Sequence, residues 1–387
     1  MRICRASRVL VCAFITLSAL AGLAACSSGN AKLAAATTMT PALTSSRPVY
    51  AQDGPYVAGV TTLDMGGTPV DVWYPADRGA EAGRQRDVYE LQDWLPPAFR
   101  AKVPPGTAPF TTNAYRDLPA STRGPYPLVL FSHGYAGYRD QSTFLTTHLA
   151  TWGFVVAAPD LLARGLASVF GQKPPAPMTD TQVLRATVDL MKSENTRAGG
   201  VLAGRVDAAK LAVVGHSAGG FDAIQFGAQP DVAVYVALAA GGAADSGSPV
   251  VPPNKPSLYI VGADDAVVPA ADVALTYRAA RAPKRSVVIG RSGHLVFTDL
   301  CLIGSSQGGV TAIANSLGIT IPAKLVKLAT DGCGPASLPV TQAYAVIDHY
   351  VVAELRSAFG IDRHAVGLDN SVGKDFGPAS VTYQHTP

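Results

Sequence analysis

The chain is short of charge and of cysteine. Only 15% of its 387 residues are charged, and three of the basic ones, Arg2, Arg5 and Arg8, crowd into the first eight positions, where no acid occurs. Without them, basic and acidic residues balance at 28 each. A neutral body lacks the basic face that nucleic acids demand, so no nucleic-acid partner is expected. Also missing are a Walker-type loop, a G-x-G-x-x-G opening a helix after the first strand, and an H-E-x-x-H pair. Neither Cys301 nor Cys333 has metal-ligand spacing to a histidine or another cysteine. Neither cofactor nor metal is therefore expected. The apolar run at residues 9–23 is short for a membrane span and has no stop-transfer pattern.

That run is instead framed as a sorting signal. Three arginines precede it, and it ends in "LAAC", residues 23–26, which resembles the lipobox of bacterial lipoproteins. The resemblance implies acylation of Cys26 and a tether to the outer face of a bacterial membrane; the alternative is an ordinary cleaved signal of a secreted or periplasmic protein. The expected divisions are a lipoprotein signal over 1–25, a Ser-, Ala-, Thr- and Pro-rich tether over 26–48, a domain over 49–360, and a tail over 361–387 that wraps the surface or stays loose. Of five cysteines, Cys4 and Cys12 leave with the signal and Cys26 takes lipid. Cys301 and Cys333 remain, a natural pair in an oxidising compartment. Their loop of about 30 residues is worth roughly 3–4 kcal/mol in the chain-entropy model, the alternative being two free thiols.

A hydrophobic content of 48% suffices for one large core or two modest ones. From residue 126, short aliphatic runs alternate with segments of helical character. "PLVLFSHG" (127–134), "GFVVAAPD" (153–160), "KLAVVGHS" (210–217), "VAVYVALAA" (232–240), "SLYIVGADD" (257–265) and "RSVVIGRSGH" (285–294) read as strands buried on both faces. This pattern belongs to a mostly parallel, doubly wound α/β sheet. Residues 56–76 read as an antiparallel hairpin around Gly66 and Gly67, at the edge of the same sheet. Residues 77–123 interleave aromatics with prolines and read as a packed insertion that either covers a cleft or caps the sheet edge. Residues 301–335 form a second insertion near the cleft.

Ser217 occupies Gly215-His216-Ser217-Ala218-Gly219, directly after a strand and before a helical segment. There a G-x-S-x-G turn is tight enough to need small residues around the serine, and it lifts the hydroxyl above the sheet. A serine becomes a nucleophile when a base takes its proton and a third group holds the base. Asp264 and Asp265 end the next strand but one, and His294 ends the strand after it. The order Ser, acid, His and the spacing, with 29 residues from Asp265 to His294, suit such a set. Adjacent residues at a strand end point in different directions; Asp265, four before Pro269, is taken as the acid and Asp264 as a turn-forming residue. The backbone N–H groups of Ala218 and Tyr135, the latter in "FSHGYAGYRDQ", are the expected oxyanion donors. His133, His148, His216 and His349 are expected to be structural.

Together, "YPLVLFSHGYAGYRDQSTFLTTHLATWGFVVAAPD", "VDAAKLAVVGHSAGG", "GADDAVVP" and "SGHLVFTD" resemble the α/β-hydrolase branch of platelet-activating-factor acetylhydrolase-like, dienelactone-hydrolase-like and polyester-hydrolase-like esterases. The resemblance implies the α/β-hydrolase fold and carboxylic-ester hydrolysis through a Ser217 acyl-enzyme. Dienelactone hydrolases carry a cysteine where Ser217 stands. Polyester hydrolases carry a tryptophan between nucleophile and acid, whereas residues 217–264 contain none. The expected partners are an ester substrate and, through Cys26, a membrane, and the expected state is a monomer. The alternatives are an acyltransferase with the same triad and an idle surface-binding domain.

Overall fold

The computed structural model describes residues 48–174, 178–243 and 249–387. The signal, Cys26 and the tether up to residue 47 lie outside the described residues.

The strands are β1 (Val57–Asp64), β2 (Pro69–Ala76), β3 (Arg86–Glu90), β4 (Pro109–Arg116), β5 (Tyr126–Ser132), β6 (Val155–Pro159), β7 (Val206–His216), β8 (Val232–Leu238), β9 (Ser257–Gly262), β10 (Lys284–Ile289) and β11 (Val381–Thr386). They join in one sheet in the order β11-β10-β9-β8-β7-β5-β6-β2-β1-β4-β3. β5 to β10 pair in parallel, and the β1–β2 hairpin joins β6 antiparallel. This is the α/β-hydrolase fold.

Period-two alternation assigns successive residues of the central strands to opposite faces. Val129 and Phe131 of β5 and Ala212 and Val214 of β7 pack beneath the helices Thr143–Thr151 and Val340–Ala358. Leu128, Leu130, Leu211 and Val213 pack beneath Asp180–Thr196, Ala218–Phe226 and Ala270–Ala279. With both faces covered, the strands read as unbroken aliphatic runs rather than alternating ones. The helix Asp180–Thr196 starts at a capping box, in which Thr179 and Gln182 each satisfy the other's backbone N–H.

Two segments are more definite in the structure than in the sequence. The insertion at 77–123 does both of the things weighed for it: β4 runs parallel to β1 and β3 antiparallel to β4, extending the edge, while the stretch between them reaches over the site. The end of the tail is not loose, because β11 pairs antiparallel with all six residues of β10 and closes the opposite edge. Five of the six β11 residues are polar or aromatic, and four of the six are exposed, so it carries little of the hydrophobic signal that marks a buried strand.

Candidate active site

β7 delivers Ser217 to a turn so sharp that its backbone takes φ 56°, ψ −120°, a region that costs a side-chain-bearing residue about 1–3 kcal/mol. The surroundings impose it: Ser217 N–H donates to Leu238 O at 2.9 Å, while Ser217 O accepts from Gly220 N–H at 2.8 Å and Phe221 N–H at 3.1 Å. The flanking glycines are required by contact. A Cβ on Gly215 would lie 1.8 Å from Gly219 O, and one on Gly219 would lie 2.0 Å from Ser132 O. Ser217 and Ala218 stay half-buried while their neighbours are buried, so the hydroxyl remains reachable.

His294, in the turn after β10, and Asp265, after β9, have wholly buried side chains joined by His294 Nδ1 and Asp265 Oδ2 at 2.9 Å. The other carboxylate oxygen, Oδ1, accepts from Val267 N–H at 2.9 Å and Val268 N–H at 2.7 Å, which fixes the carboxylate plane. Asp264 is exposed and donates its N–H to Ser292 O at 2.9 Å; burial and the bond to His294 single out Asp265 of the two. On the far side of the ring, His294 Nε2 is buried with no hydrogen-bond partner among the described residues. His294 and Ser217 line the same cavity.

Ala218 follows Ser217 in the chain, and the Tyr135 loop comes up against the same elbow. Gly134 brings its chain against the elbow, since a Cβ there would lie 3.4 Å from Ser217 Cβ. The N–H groups of Tyr135 and Ala218 have no acceptor among the described residues, and Ala218 opens a helix, where the first N–H groups have no intrahelical partner. The Tyr135 side chain is 52% exposed and lines the cavity.

The loop that carries Tyr135 is braced by groups the sequence reading passed over. Gln141 Oε1 accepts from Gly134 N–H at 3.0 Å, and its amide nitrogen meets His216 Nδ1 at 3.1 Å. His216 Nε2 meets His294 O at 3.0 Å. Burial and the neighbouring His294 hold the pKa of His216 well below the usual imidazole value; the ring stays neutral, donating at Nε2 and accepting at Nδ1. His133 is likewise pushed down to about 3 by burial and Arg164, and it accepts from Leu161 N–H at 2.9 Å. Arg164 donates to His133 O at 2.5 Å and to Ser132 Oγ at 3.0 Å, and pairs with Asp222 and Asp180. Burial raises Asp222 to about 6 against the pull of Arg164. His148 and His349 bond backbone carbonyls away from the site.

A second brace comes from the insertion at 301–335. Cys301 and Cys333 form a disulfide. Two residues before Cys333, Asp331 Oδ2 accepts from Ala266 N–H at 3.0 Å and His294 N–H at 3.2 Å, and Asp331 O accepts from Leu295 N–H at 2.9 Å. One side chain thus ties the Asp265 turn to the His294 turn. No motif marks Asp331, because its role exists only once two distant turns meet it. Among the described residues, no group of three His, Cys, Asp or Glu side chains is placed to hold a metal.

The fold agrees with what the chain is similar to in structure. The chlorophyllase family model matches residues 117–235, a span that contains the Tyr135 loop and the Ser217 elbow but neither Asp265 nor His294. A ferulic acid esterase from Streptomyces cinnamoneus is similar in structure, with a TM-score of 0.56 at 21% identity, over 85% of this chain and 96% of that one. No curated protein matches the chain in sequence.

Proposed function

We propose that this chain is a serine hydrolase of carboxylic esters working through Ser217, His294 and Asp265. The observation that carries the reading is the buried Asp265–His294 bond, which leaves Nε2 unengaged beside a cavity that also holds the elbow serine. Asp265 accepts the Nδ1 proton and fixes the tautomer with a basic Nε2. Nε2 takes the Ser217 proton as Oγ attacks the ester carbon. The oxyanion that forms is held by the N–H groups of Ala218 and Tyr135. Collapse expels the alcohol, which receives the proton from His294; water then attacks the acyl-enzyme by the same route and frees Ser217. The likeness to the chlorophyllase family model over the elbow and to the ferulic acid esterase structure supports ester chemistry on this fold.

The signal-like N-terminus and Cys26 support an exported, lipid-anchored protein acting on esters at the membrane face. Metabolic labelling with a fatty acid that is lost in Cys26→Ala tests the anchor. For the chemistry, Ser217→Ala is expected to lower p-nitrophenyl acetate hydrolysis by about 10⁴-fold or more; near-wild-type turnover would overturn the assignment.

A further inference from the structure

The cavity over Ser217 has walls of one chemical kind. Among the described residues that line it, 14 of 31 are Leu, Ile or Val and three are aromatic. No lysine or arginine is among them, and Glu90 is the single carboxylate, held by Gly106 N–H and the Gln92 amide.

The outer wall is the helix Gly309–Ser316 with the turn after it. Val310, Ile313, Ala314 and Leu317 follow the i, i+3, i+4, i+7 spacing of one helical face, and all four line the cavity. No residue of this helix is buried. An apolar stripe normally disappears into a core; this one faces a cavity of about 160 Å³. It is carried on the segment closed by the Cys301–Cys333 disulfide. Leu91, Leu95 and Val103 of the other insertion line the same cavity. From Val310 to Leu317 the stripe runs about 10 Å at 1.5 Å per residue. That matches an extended alkyl chain of roughly eight carbons with C–C bonds of about 1.5 Å in zigzag.

We infer that the site takes uncharged esters bearing an extended aliphatic chain of roughly eight or more carbons, laid along the Val310–Leu317 face with the ester at Ser217. The inference rests on the hydrolase reading above. Aliphatic walls adapt to a flexible chain, and with Glu90 as the charged group lining the cavity nothing grips a phosphate, a coenzyme A or a free carboxylate. The chain is the acyl or the alcohol part of the ester, and two substrate series separate these sources.

The test measures kcat/KM for p-nitrophenyl acetate through decanoate, and for ethyl through decyl acetate. In one of the series each added methylene is expected to raise kcat/KM by about 3- to 4-fold, until the stripe is covered. Ala314→Trp, which fills the groove, is expected to cut the ratio of decanoyl to acetyl rates, or of decyl to ethyl rates, by at least about 10-fold; Ile313→Asp is expected to cut it by a different route. Flat or falling dependence in both series, or methyl ferulate outpacing every aliphatic ester, overturns the inference. The readout that separates it from the hydrolase reading is calorimetric binding to Ser217→Ala. Tighter binding of decyl acetate than of ethyl acetate, with no ester hydrolysed by the wild type, leaves the chain site standing without the chemistry. Hydrolysis of p-nitrophenyl acetate with no chain-length dependence leaves the chemistry standing without the chain site.

Discussion

Asp331 offers a quantitative test of how the site is held. Its Oδ2 accepts N–H groups from Ala266 and His294 at 3.0 and 3.2 Å. A hydrogen bond to a charged acceptor is worth roughly 1.5–3 kcal/mol when well shielded. Asp331 is half-buried, and screening by water reduces this, so the two bonds together contribute about 2 kcal/mol. If between half and all of that holds His294 and Asp265 in register, losing it raises the barrier by about 1–2 kcal/mol, or roughly 5- to 30-fold in kcat. Asp331 does not line the cavity, so Asp331→Ala is expected to act on kcat with KM nearly unchanged. Asp331→Asn keeps an oxygen acceptor and is expected to stay within about 3-fold of wild type. The assay is steady-state hydrolysis of p-nitrophenyl butyrate, with circular dichroism to show that each variant is folded. An alanine variant with wild-type kcat, or an asparagine variant as slow as alanine, would refute the bridging role.

Other expectations follow from the same geometry. Removing the disulfide with Cys301→Ser and Cys333→Ser, which frees a separation of 32 residues, is expected to lower unfolding free energy by about 3–4 kcal/mol in urea titrations; activity should fail at lower urea than the fold, because the freed segment carries Asp331 and the outer wall. Gly219→Ala would set a Cβ 2.0 Å from Ser132 O, forcing backbone shifts that cost about 1–3 kcal/mol or more; an unchanged melting temperature would contradict the close approach of the elbow to β5. His133, pushed down to about 3, takes no proton in the native state over the range where the unfolded chain does, below about 6.5. Its contribution to stability is therefore lost as pH falls from about 6.5 towards 3, at up to about 1.4 kcal/mol per pH unit. Asp299 and Asp348, raised to about 7 by burial, act with opposite sign, losing stability as pH rises through that window. The readable quantity is the stability difference between wild type and His133→Gln, which should shrink as pH drops; a pH-independent difference would count against it.

The parts legible in the sequence are those written locally. The six central strands are unbroken aliphatic runs because both faces are covered, and Ser217, Asp265 and His294 each follow one, so their order along the chain carries their position in space. Pleat direction at a strand end depends on the turn, so the sequence favours Asp265 over Asp264 only through its spacing to Pro269; in the structure it is the Asp265 carboxylate that meets His294. β3 and β11, at the two edges, and β4 beside β3 left weak marks, since strands at or near a sheet edge bury one face or less and tolerate polar residues. Gln141, Arg164 and Asp331 were illegible for a different reason. Each acts through hydrogen bonds to backbone brought near by the fold, and neither their spacing nor their neighbours in sequence differ from those of ordinary surface residues.

In the proposed reaction Ser217 Oγ receives the acyl group. Rapid mixing with p-nitrophenyl acetate, quenched in acid and followed by peptide mass spectrometry, tests this directly. A burst of one p-nitrophenolate per active chain and an acetyl increment on the peptide holding Ser217, both absent from Ser217→Ala, is the expected result. Turnover with no acyl increment at Ser217, or with the increment on another residue, would contradict it.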